Sequence, residues 1–246
     1  MANTQISYNG YPTYLNNDST TAPYLATNAS EIYLNADCSN MFNNCREITN
    51  WNFLNNFNWD NVTNCSYMFN YCFNFNQPIT IPNNVTDCLY MFMGTNFNQP
   101  IIIPNNVTNC VGMFQGCLNF NQPVTIGNNV TNCASMFSEC LNFNQPITIP
   151  NSATSCSLMF ISCLNFNQPI TIPNNVTSCR SMFNRCFSFN QPITIPNSVT
   201  SCSKMFDDCM NMHSVVRLPN KFNNGKTTAF WSGCPVSVAN GTLQFY

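Results

Sequence analysis

The chain has 246 residues, of which 44% are hydrophobic and only 7% are charged, so its polar surface consists mainly of Asn, Thr, Ser and Gln. Its seven Lys and Arg residues are too few for the phosphate contacts of nucleic-acid binding, which excludes nucleic acid as a partner. No segment approaches the roughly 20 consecutive apolar residues of a membrane-spanning helix, which excludes membrane insertion.

Residues 1–37 precede the repetitive part of the chain and are rich in tyrosine. Their start has neither the basic region nor the apolar region of a signal peptide, so we expect folding in a reducing cytosol. A repeat array must cap its open ends, and tyrosine is favoured at protein interfaces. We therefore predict that residues 1–37 form either an N-terminal cap or a docking arm. The candidate docking residues are Tyr8, Tyr11, Tyr14, Tyr24 and Tyr33.

An internal repeat runs through most of the chain and is marked by the pattern Cys-x-x-Met-Phe. From Cys65 onward the step between copies is 23 residues, except for one step of 22 that begins at Cys88. The shorter step reflects a deletion near Gly94–Thr95, where this unit also loses its second cysteine. The pattern begins at Cys38, Cys65, Cys88, Cys110, Cys133, Cys156, Cys179 and Cys202.

Each unit favours a short helix and a short strand. In CRSMFNRC, residues 179–186, the apolar residues are spaced i, i+3, i+4 and i+7, as on one face of a helix. Ile193-Thr194-Ile195 alternates buried and exposed positions, as a strand does. One unit alone cannot bury its apolar face, but stacked units can. The sequence predicts an α/β repeat fold: a right-handed leucine-rich-repeat-like solenoid with one short strand and one short helix per 23-residue rung.

We place the solenoid at residues 38–221 and a C-terminal cap at residues 222–246. In the cap, Val236-Ser237-Val238 and Leu243-Gln244-Phe245 have the alternation of closing strands.

The repeat resembles two related families. ITIPNSVTSCSKMFDDC, residues 193–209, is similar to the BspA-type leucine-rich repeat. WDNVTNCSYMFNYCFNFNQP, residues 59–78, resembles the bacterial surface-protein repeat of mycoplasma-lipoprotein type, which carries Trp-Asp, Asn-Val-Thr, Met-Phe and Phe-Asn-Gln-Pro in this order. The resemblance covers about residues 38–234. It implies a surface-exposed protein that binds other proteins or cells, and it implies no catalysis.

The 16 cysteines lie mainly in two rows, one at the first cysteine of the rungs and one at the second, which only the rung of Cys88 lacks. The two cysteines of a rung are seven residues apart, about 10 Å along a helix, which is too far for a disulfide. Three roles remain: small buried apolar residues, disulfides between rungs, or a metal site. We favour buried thiols, because zinc sites need Cys-x-x-Cys pairs or histidines and the only histidine is His213.

A cysteine nucleophile needs a neighbouring base, and His213 lies in a degenerate unit where a surface role fits better. The acidic pair Asp207-Asp208 is adjacent in sequence and is expected to face solvent. We therefore expect neither an enzyme nor a bound cofactor or metal.

The candidate binding strip consists of the outward strand residues and the glutamines beside them. It is uncharged and rich in hydrogen-bonding groups, which suits glycan or protein recognition, although the amides could also satisfy their own turns. The strip comprises Thr80, Thr125, Thr148, Thr171, Thr194, Gln77, Gln99, Gln122, Gln145, Gln168 and Gln191, with Ile102 and Arg217 at the equivalent positions of two rungs.

These observations favour a non-catalytic surface protein. The first hypothesis is a phage or viral virion protein, a decoration, fibre or host-attachment module folded in the host cytosol. Its partners would be other virion proteins, a host glycan or receptor, or further copies of itself in a homo-oligomer. The alternative is a bacterial or protozoan cell-surface adhesin of BspA-like type, located on the cell surface.

Overall fold

The computed structural model describes residues 4–8, 11–16, 24–26, 32–223, 232–236 and 241–246, the first three segments as backbone strands only. Strands β1 (Thr4–Tyr8), β2 (Tyr11–Asn16) and β3 (Tyr24–Ala26) form an antiparallel sheet in chain order. Tyr8 pairs with Tyr11 across the first hairpin. The tyrosine-rich segment thus contains strands that the composition alone did not predict.

The rest of the described chain is a solenoid in which successive rungs lie parallel. Strand β4 (Ile32–Tyr33) pairs with β5 (Phe57–Asn58), and β6 (Ile101–Ile102) pairs with β7 (Val124–Thr125). Strand β9 (Val216–Leu218) lies between β8 (Ile193–Thr194) and β10 (Leu243–Phe245). The strand predicted at residues 243–245 is therefore present and closes the solenoid as its last rung. The other predicted closing strand, Val236-Ser237-Val238, lies mostly outside the described residues.

No α-helix occurs among the described residues, and the helix expected in each rung is replaced by turns. Short 3-10 helices are present at Asn52–Asn56 and Asn220–Phe222. Within the described chain, no helix has the length and apolar character needed to cross a membrane.

Two kinds of hydrogen bond explain the turns between the first and second cysteine of a rung. The N–H groups of Met159 and Cys163 donate to carbonyls three residues earlier, at 3.3 and 3.0 Å. The N–H groups of Leu158 and Phe160 instead donate to the next rung, to Arg180 O at 2.8 Å and Met182 O at 2.9 Å. Because alternate N–H groups bond outside the segment, the segment does not form the i→i−4 ladder of an α-helix.

Backbone angles interrupt the helix as well. Leu158 and Ser162 have φ of 61° and 58°, in the left-handed region. The same two positions of other rungs also have positive φ, although asparagine or glycine, the residues best suited to it, occupies only some of them. They comprise Asn40, Asn44, Tyr67, Tyr71, Tyr90, Gly94, Gly112, Gly116, Ser135, Glu139, Ser181, Arg185, Lys204 and Asp208.

We call the wall formed by these Cys-to-Cys segments the turn face. Beside it, the residue before the first cysteine of each rung bridges to the next rung in parallel fashion. This bridge is continuous over eight rungs, from Asp37 through Asn64, Asp87, Asn109, Asn132, Ser155 and Ser178 to Ser201.

Phenylalanine rings fill the core in two parallel rows. Rings of the first row, in the Met-Phe pair, lie 5.5–5.8 Å apart from rung to rung. Rings of the second row, in Phe-Asn-Gln-Pro, lie 5.7–6.1 Å apart. Within a rung the two rings stack at 4.1–4.6 Å. Every ring of both rows is essentially buried, so aromatic stacking holds each rung to both neighbours.

All 16 cysteines are unpaired, and all but Cys234 are buried, in agreement with the buried-thiol prediction. The second-row thiols have a specific partner: Cys163 Sγ donates to Phe137 O at 2.9 Å, and Cys186 Sγ to Phe160 O at 2.9 Å. Burial raises the pKa of Cys117 to about 11 and that of Cys133 to about 12. These thiols therefore stay protonated at neutral pH, unlike the accessible, low-pKa thiols of cysteine enzymes.

Candidate functional site

The predicted threonine row lies on the wall that carries the short strands, which we call the strand face. Thr80, Thr125, Thr148, Thr171 and Thr194 are all exposed, while the Ile or Val residues beside them point into the solenoid. The strand alternation places these threonines outward, as the sequence predicts. Ile102 interrupts the row and is 70% exposed.

The glutamines beside this row are half-buried and brace neighbouring rungs. Gln145 and Gln168 donate Nε2–H to the Oδ1 of Asn121 and Asn144 in the preceding rung, each at 3.1 Å. Gln99 and Gln191 make the corresponding contacts with the preceding asparagine. The threonines and the glutamines of the predicted strip therefore have different roles. The threonines face solvent, whereas at least four of the glutamine amides donate hydrogen bonds to asparagines of the preceding rung.

The asparagines that receive these glutamines form a ladder of their own. The N–H of Asn144 donates to Asn121 Oδ1 at 2.9 Å, and that of Asn167 donates to Asn144 Oδ1 at 2.9 Å. The same bond links Asn98 to Asn76, Asn121 to Asn98 and Asn190 to Asn167. This ladder fixes the register of the Phe-Asn-Gln-Pro corner and thereby the position of each strand that follows.

A second threonine row, two residues before the first cysteine of each rung from Cys65 to Cys202, was not identified as a structural element from the sequence. Thr154 donates both its N–H, at 2.8 Å, and its Oγ1–H, at 3.1 Å, to Thr131 O. Thr177 donates the same two bonds to Thr154 O. The available signal was the recurrence of threonine two residues before the first cysteine in every rung from Cys65 to Cys202.

Strand pairing on the strand face is discontinuous. Among the described residues it is confined to β4–β5, β6–β7 and β8–β9–β10, so the rungs of Thr80, Thr148 and Thr171 carry no paired strand. Gly127 stands where most other rungs have proline, and a Cβ there would lie 2.4 Å from Pro104 O. Glycine at 127 therefore allows the rung of β7 to approach the rung of β6 closely.

A groove of about 770 Å³ lies on the strand face around Ile102. Its lining combines exposed hydroxyl and amide groups with apolar side chains and carries no charged residue. The lining comprises Ile79, Thr80, Ile81, Asn83, Pro100, Ile101, Ile102, Ile103, Pro104, Asn105, Pro123, Thr125, Ile126, Gly127 and Asn128.

A smaller cavity of about 340 Å³ lies at the C-terminal end of the threonine row. It is lined by Thr194, Arg217, Gln244, Phe245 and Tyr246. Arg217 Nε donates to Gln244 Oε1 at 3.3 Å, and the Tyr246 hydroxyl donates to Ile195 O at 2.7 Å. The row therefore changes from a neutral groove at one end to a cationic cavity at the other.

The candidate docking tyrosines are only partly described. Tyr8, Tyr11, Tyr14 and Tyr24 belong to β1, β2 and β3, and their side chains lie outside the described part of the structure. Tyr33 lies in β4, on the first rung, and is 38% exposed.

The groups considered for catalysis do not come together in the described chain. His213 is exposed, and its Nδ1 lies 2.9 Å from Asn211 O in its own loop. Asp207 Oδ1 accepts the Ser232 N–H at 2.8 Å. Over the described residues, no cluster of three or more His, Cys, Asp or Glu side chains could hold a metal ion.

Comparison with known proteins gives a family and a fold. The family described as "Mycoplasma protein of unknown function, DUF285" matches residues 36–149, 103–195 and 127–218, in agreement with the predicted resemblance to the mycoplasma-type repeat. No curated protein matches the sequence.

Two solved structures are similar to the chain. A leucine-rich repeat protein from Bacteroides ovatus ATCC 8483 has 16% identity and a TM-score of 0.53, and the match covers 84% of this chain and 58% of that one. A leucine rich cell surface protein from Faecalibacterium prausnitzii A2-165 has 19% identity and a TM-score of 0.43, over 86% and 65% of the two chains. The chain spans less than two thirds of either structure. The first likeness shows a leucine-rich-repeat-like solenoid.

Proposed function

We propose that this chain, which belongs to the DUF285 family of mycoplasma proteins, is a non-catalytic binding protein of a cell surface. Its strand face would hold an uncharged partner, a glycan or a protein surface. The observation that carries the proposal is the exposed threonine row together with the neutral groove around Ile102. The family resemblance, which implies surface-exposed proteins that bind proteins or cells, supports it.

The rigid interior supports this proposal. The aromatic rows and the inter-rung bonds hold the backbone of the strand face in place, while the exposed threonines make no contribution to the core. A preorganised surface loses little conformational freedom when a partner binds. The Thr, Asn and Pro side chains of the groove offer both hydrogen bonds and apolar contact to a neutral partner.

The sequence alone suggested a virion protein first and a cell-surface adhesin second. The family match and the repeat fold favour the adhesin, and no observation on this chain favours a virion in particular. Attachment to a virion therefore stays a prediction. Labelling of intact cells with an antibody against the solenoid tests the cell-surface location, and labelling only after lysis would contradict it.

The binding proposal is tested with a matched pair of arginine substitutions. Thr125→Arg places a charge in the groove, and the solenoid already carries Arg217 at the equivalent position. Ser162→Arg places the same charge on the turn face, where Arg185 stands in the next rung. We expect wild type and Ser162→Arg to bind the same members of an array of neutral glycans and extracellular-matrix proteins, and Thr125→Arg to lose them. Equal binding by both variants, or no binding by wild type, would overturn the proposal.

A further inference from the structure

A row of apolar side chains runs along the corner that follows the second cysteine in the rungs from Cys65 to Cys202. We call it the corner row: Phe73, Leu118, Leu141, Leu164, Phe187 and Met210. Its backbone is tied from rung to rung, since Asn142 N–H donates to Leu118 O at 3.3 Å and Asn165 N–H to Leu141 O at 3.2 Å. The corner row is therefore a regular feature of the solenoid and not a scatter of surface residues.

One member of the corner row is missing. In the rung that begins at Cys88, Thr95 occupies the position of the second cysteine, and Asn96-Phe97 follows at once. The residue deleted from this 22-residue rung is thus the apolar corner residue that would stand between Phe73 and Leu118. The backbone passes the gap without breaking, because Asn96 N–H still donates to Phe73 O at 3.2 Å.

The deletion leaves an open cleft. Its volume is about 340 Å³, and its lining consists of Tyr71, Phe73, Met93, Gly94, Thr95, Asn96, Gln115, Gly116, Leu118 and Glu139. Phe73 and Leu118 flank it and are 41% and 49% exposed, whereas Leu141 and Leu164, with neighbours on both sides, are half-buried. The cleft thus exposes apolar surface that is covered at the inner positions Leu141 and Leu164, whereas Met210 is exposed at the end of the row.

The two sides of the cleft are fixed by packing. The Arg46 guanidinium lies 4.8 Å from the centroid of the Phe73 ring and 5.9 Å from that of the Tyr71 ring. The guanidinium therefore packs against both aromatic rings. The Tyr71 ring rests on Gly94, where a Cβ would lie 2.6 Å from it. The cleft is therefore a preformed slot with one cation at its Phe73 end and the Glu139 carboxylate at the other.

We propose that this cleft binds a segment of a partner protein that inserts one Leu, Phe or Met side chain in place of the missing corner residue. The repeat itself specifies the chemistry, because all six positions of the corner row are Leu, Phe or Met, and only the first rung differs, with Arg46 after its second cysteine. Burying such a side chain between Phe73 and Leu118 removes apolar surface of both partners from water. The cleft shares no lining residue with the groove around Ile102, so it is a second site, independent of the proposed function.

The test selects displayed random dodecapeptides on the wild-type protein. A filled variant, in which a leucine is inserted between Thr95 and Asn96 to restore the 23-residue rung, supplies its own corner side chain. We expect the selected peptides to share one position that is Leu, Phe or Met. These peptides should bind the filled variant at least about tenfold more weakly than they bind wild type, because the shared side chain then cannot enter the cleft and stays in water. Alanine at the shared peptide position should have the same effect on wild type.

Two further variants keep the test decisive if the filled variant does not fold. Phe73→Ser and Leu118→Ser change exposed flanks of the cleft and should each weaken the peptides, whereas Met210→Ser, at an intact corner position, should not. Thr125→Arg should leave peptide binding unchanged, which separates this site from the strand face. Selected peptides without a shared apolar position, equal affinity for wild type and the two flank variants, or the absence of any enriched peptide would overturn the proposal.

Discussion

The turn face and the strand face are built from the same rungs but are held together differently. Along the turn face, hydrogen bonds join nearly every pair of neighbouring rungs, and bridges run without a break from Asp37 to Ser201. Along the strand face, strand pairing among the described residues is confined to β4–β5, β6–β7 and β8–β9–β10. Cohesion between rungs therefore resides in the turn face and in the core behind it, and the strand face is free to vary.

The residues on the two faces agree with this division. Behind the turn face, cysteine, methionine and phenylalanine recur at the same buried positions in rung after rung. On the strand face the outward residue changes from Thr80 to Ile102 and returns to threonine. In the last two rungs it is Arg217 and then Gln244. When the outward residues of a surface contribute little to stability, they can be substituted, and the binding partner can change, without a change in fold.

Alkaline pH should lower the free energy of unfolding more than any single substitution does, through the thiols buried behind the turn face. Burial raises the pKa of the core thiols above the ordinary value of 9.0, for example to about 12 in Cys65. Above that ordinary value the unfolded chain releases thiol protons that the folded chain retains, so stability is full below it and falls as pH rises. The free energy of unfolding should drop by about 1 kcal/mol per thiol between about pH 9 and about pH 10, as measured by urea unfolding at the two pH values. An unchanged urea midpoint would contradict it.

Loss of one core ring should be the most damaging substitution at neutral pH. Phe143 stacks on Phe137 at 4.3 Å and on Phe120 and Phe166 at 5.7 and 5.9 Å. Phe143→Ala should destabilise the protein by about 3–5 kcal/mol through a cavity in the stack. Thr148→Ala, five residues later on the strand face, should change stability by less than about 0.5 kcal/mol. Thermal and urea unfolding of both variants measures the contrast, and similar losses would remove the distinction between the faces.

The two cysteine rows should respond differently to serine. Cys163→Ser keeps a donor for Phe137 O, which the native thiol contacts at 2.9 Å, so its effect should be below about 1 kcal/mol. Cys156 is buried in the first row, where no acceptor contacts its thiol among the described residues, so Cys156→Ser should destabilise by about 1–3 kcal/mol. Unfolding of the two variants side by side gives the difference. Equal losses would mean that the second-row thiol bonds carry no stability.

The smallest effect concerns backbone strain on the turn face. Ser135 has φ of 56°, and Gly112 occupies the same position one rung earlier. Ser135→Gly should stabilise the protein by up to about 1 kcal/mol, because glycine adopts this conformation without steric strain. Ser135→Val should destabilise by more than about 1 kcal/mol, since β-branched residues tolerate positive φ poorly. A melting temperature raised by valine would contradict the role of these turns.

Much of the architecture follows from the sequence because it depends on local repetition. The period, the stacking of rungs, the buried row at Cys, Met and Phe, and the outward threonines can all be derived from one unit. The prediction of a helix in each rung was wrong. Apolar residues spaced at i, i+3, i+4 and i+7 are buried together in a helix and also in two successive turns, so the spacing does not distinguish the two structures. Only the hydrogen bonds to the next rung, such as Leu158 N–H to Arg180 O, distinguish the two, and these join residues 22 positions apart.

The site shows the same limit. The threonine row was predictable, but the role of Gln145 depends on Asn121 in the preceding rung, which no local pattern reveals. The groove around Ile102 depends on how closely rungs approach, which Gly127 influences through a contact with Pro104 O. The deletion near Gly94–Thr95 was visible in the sequence, but the cleft that it leaves required the position of the corner row in space.

The asparagine ladder has an evolutionary consequence. From Asn76 to Asn167, each Asn Oδ1 receives the N–H of the corresponding asparagine 22 or 23 residues later, so these rungs offer and accept the same bonds. An in-frame duplication or loss of one whole 23-residue unit by recombination therefore recreates each of these bonds at the new junction. Such recombination can lengthen or shorten the protein by single rungs. The number of outward threonines then changes, while no new type of contact between rungs is required.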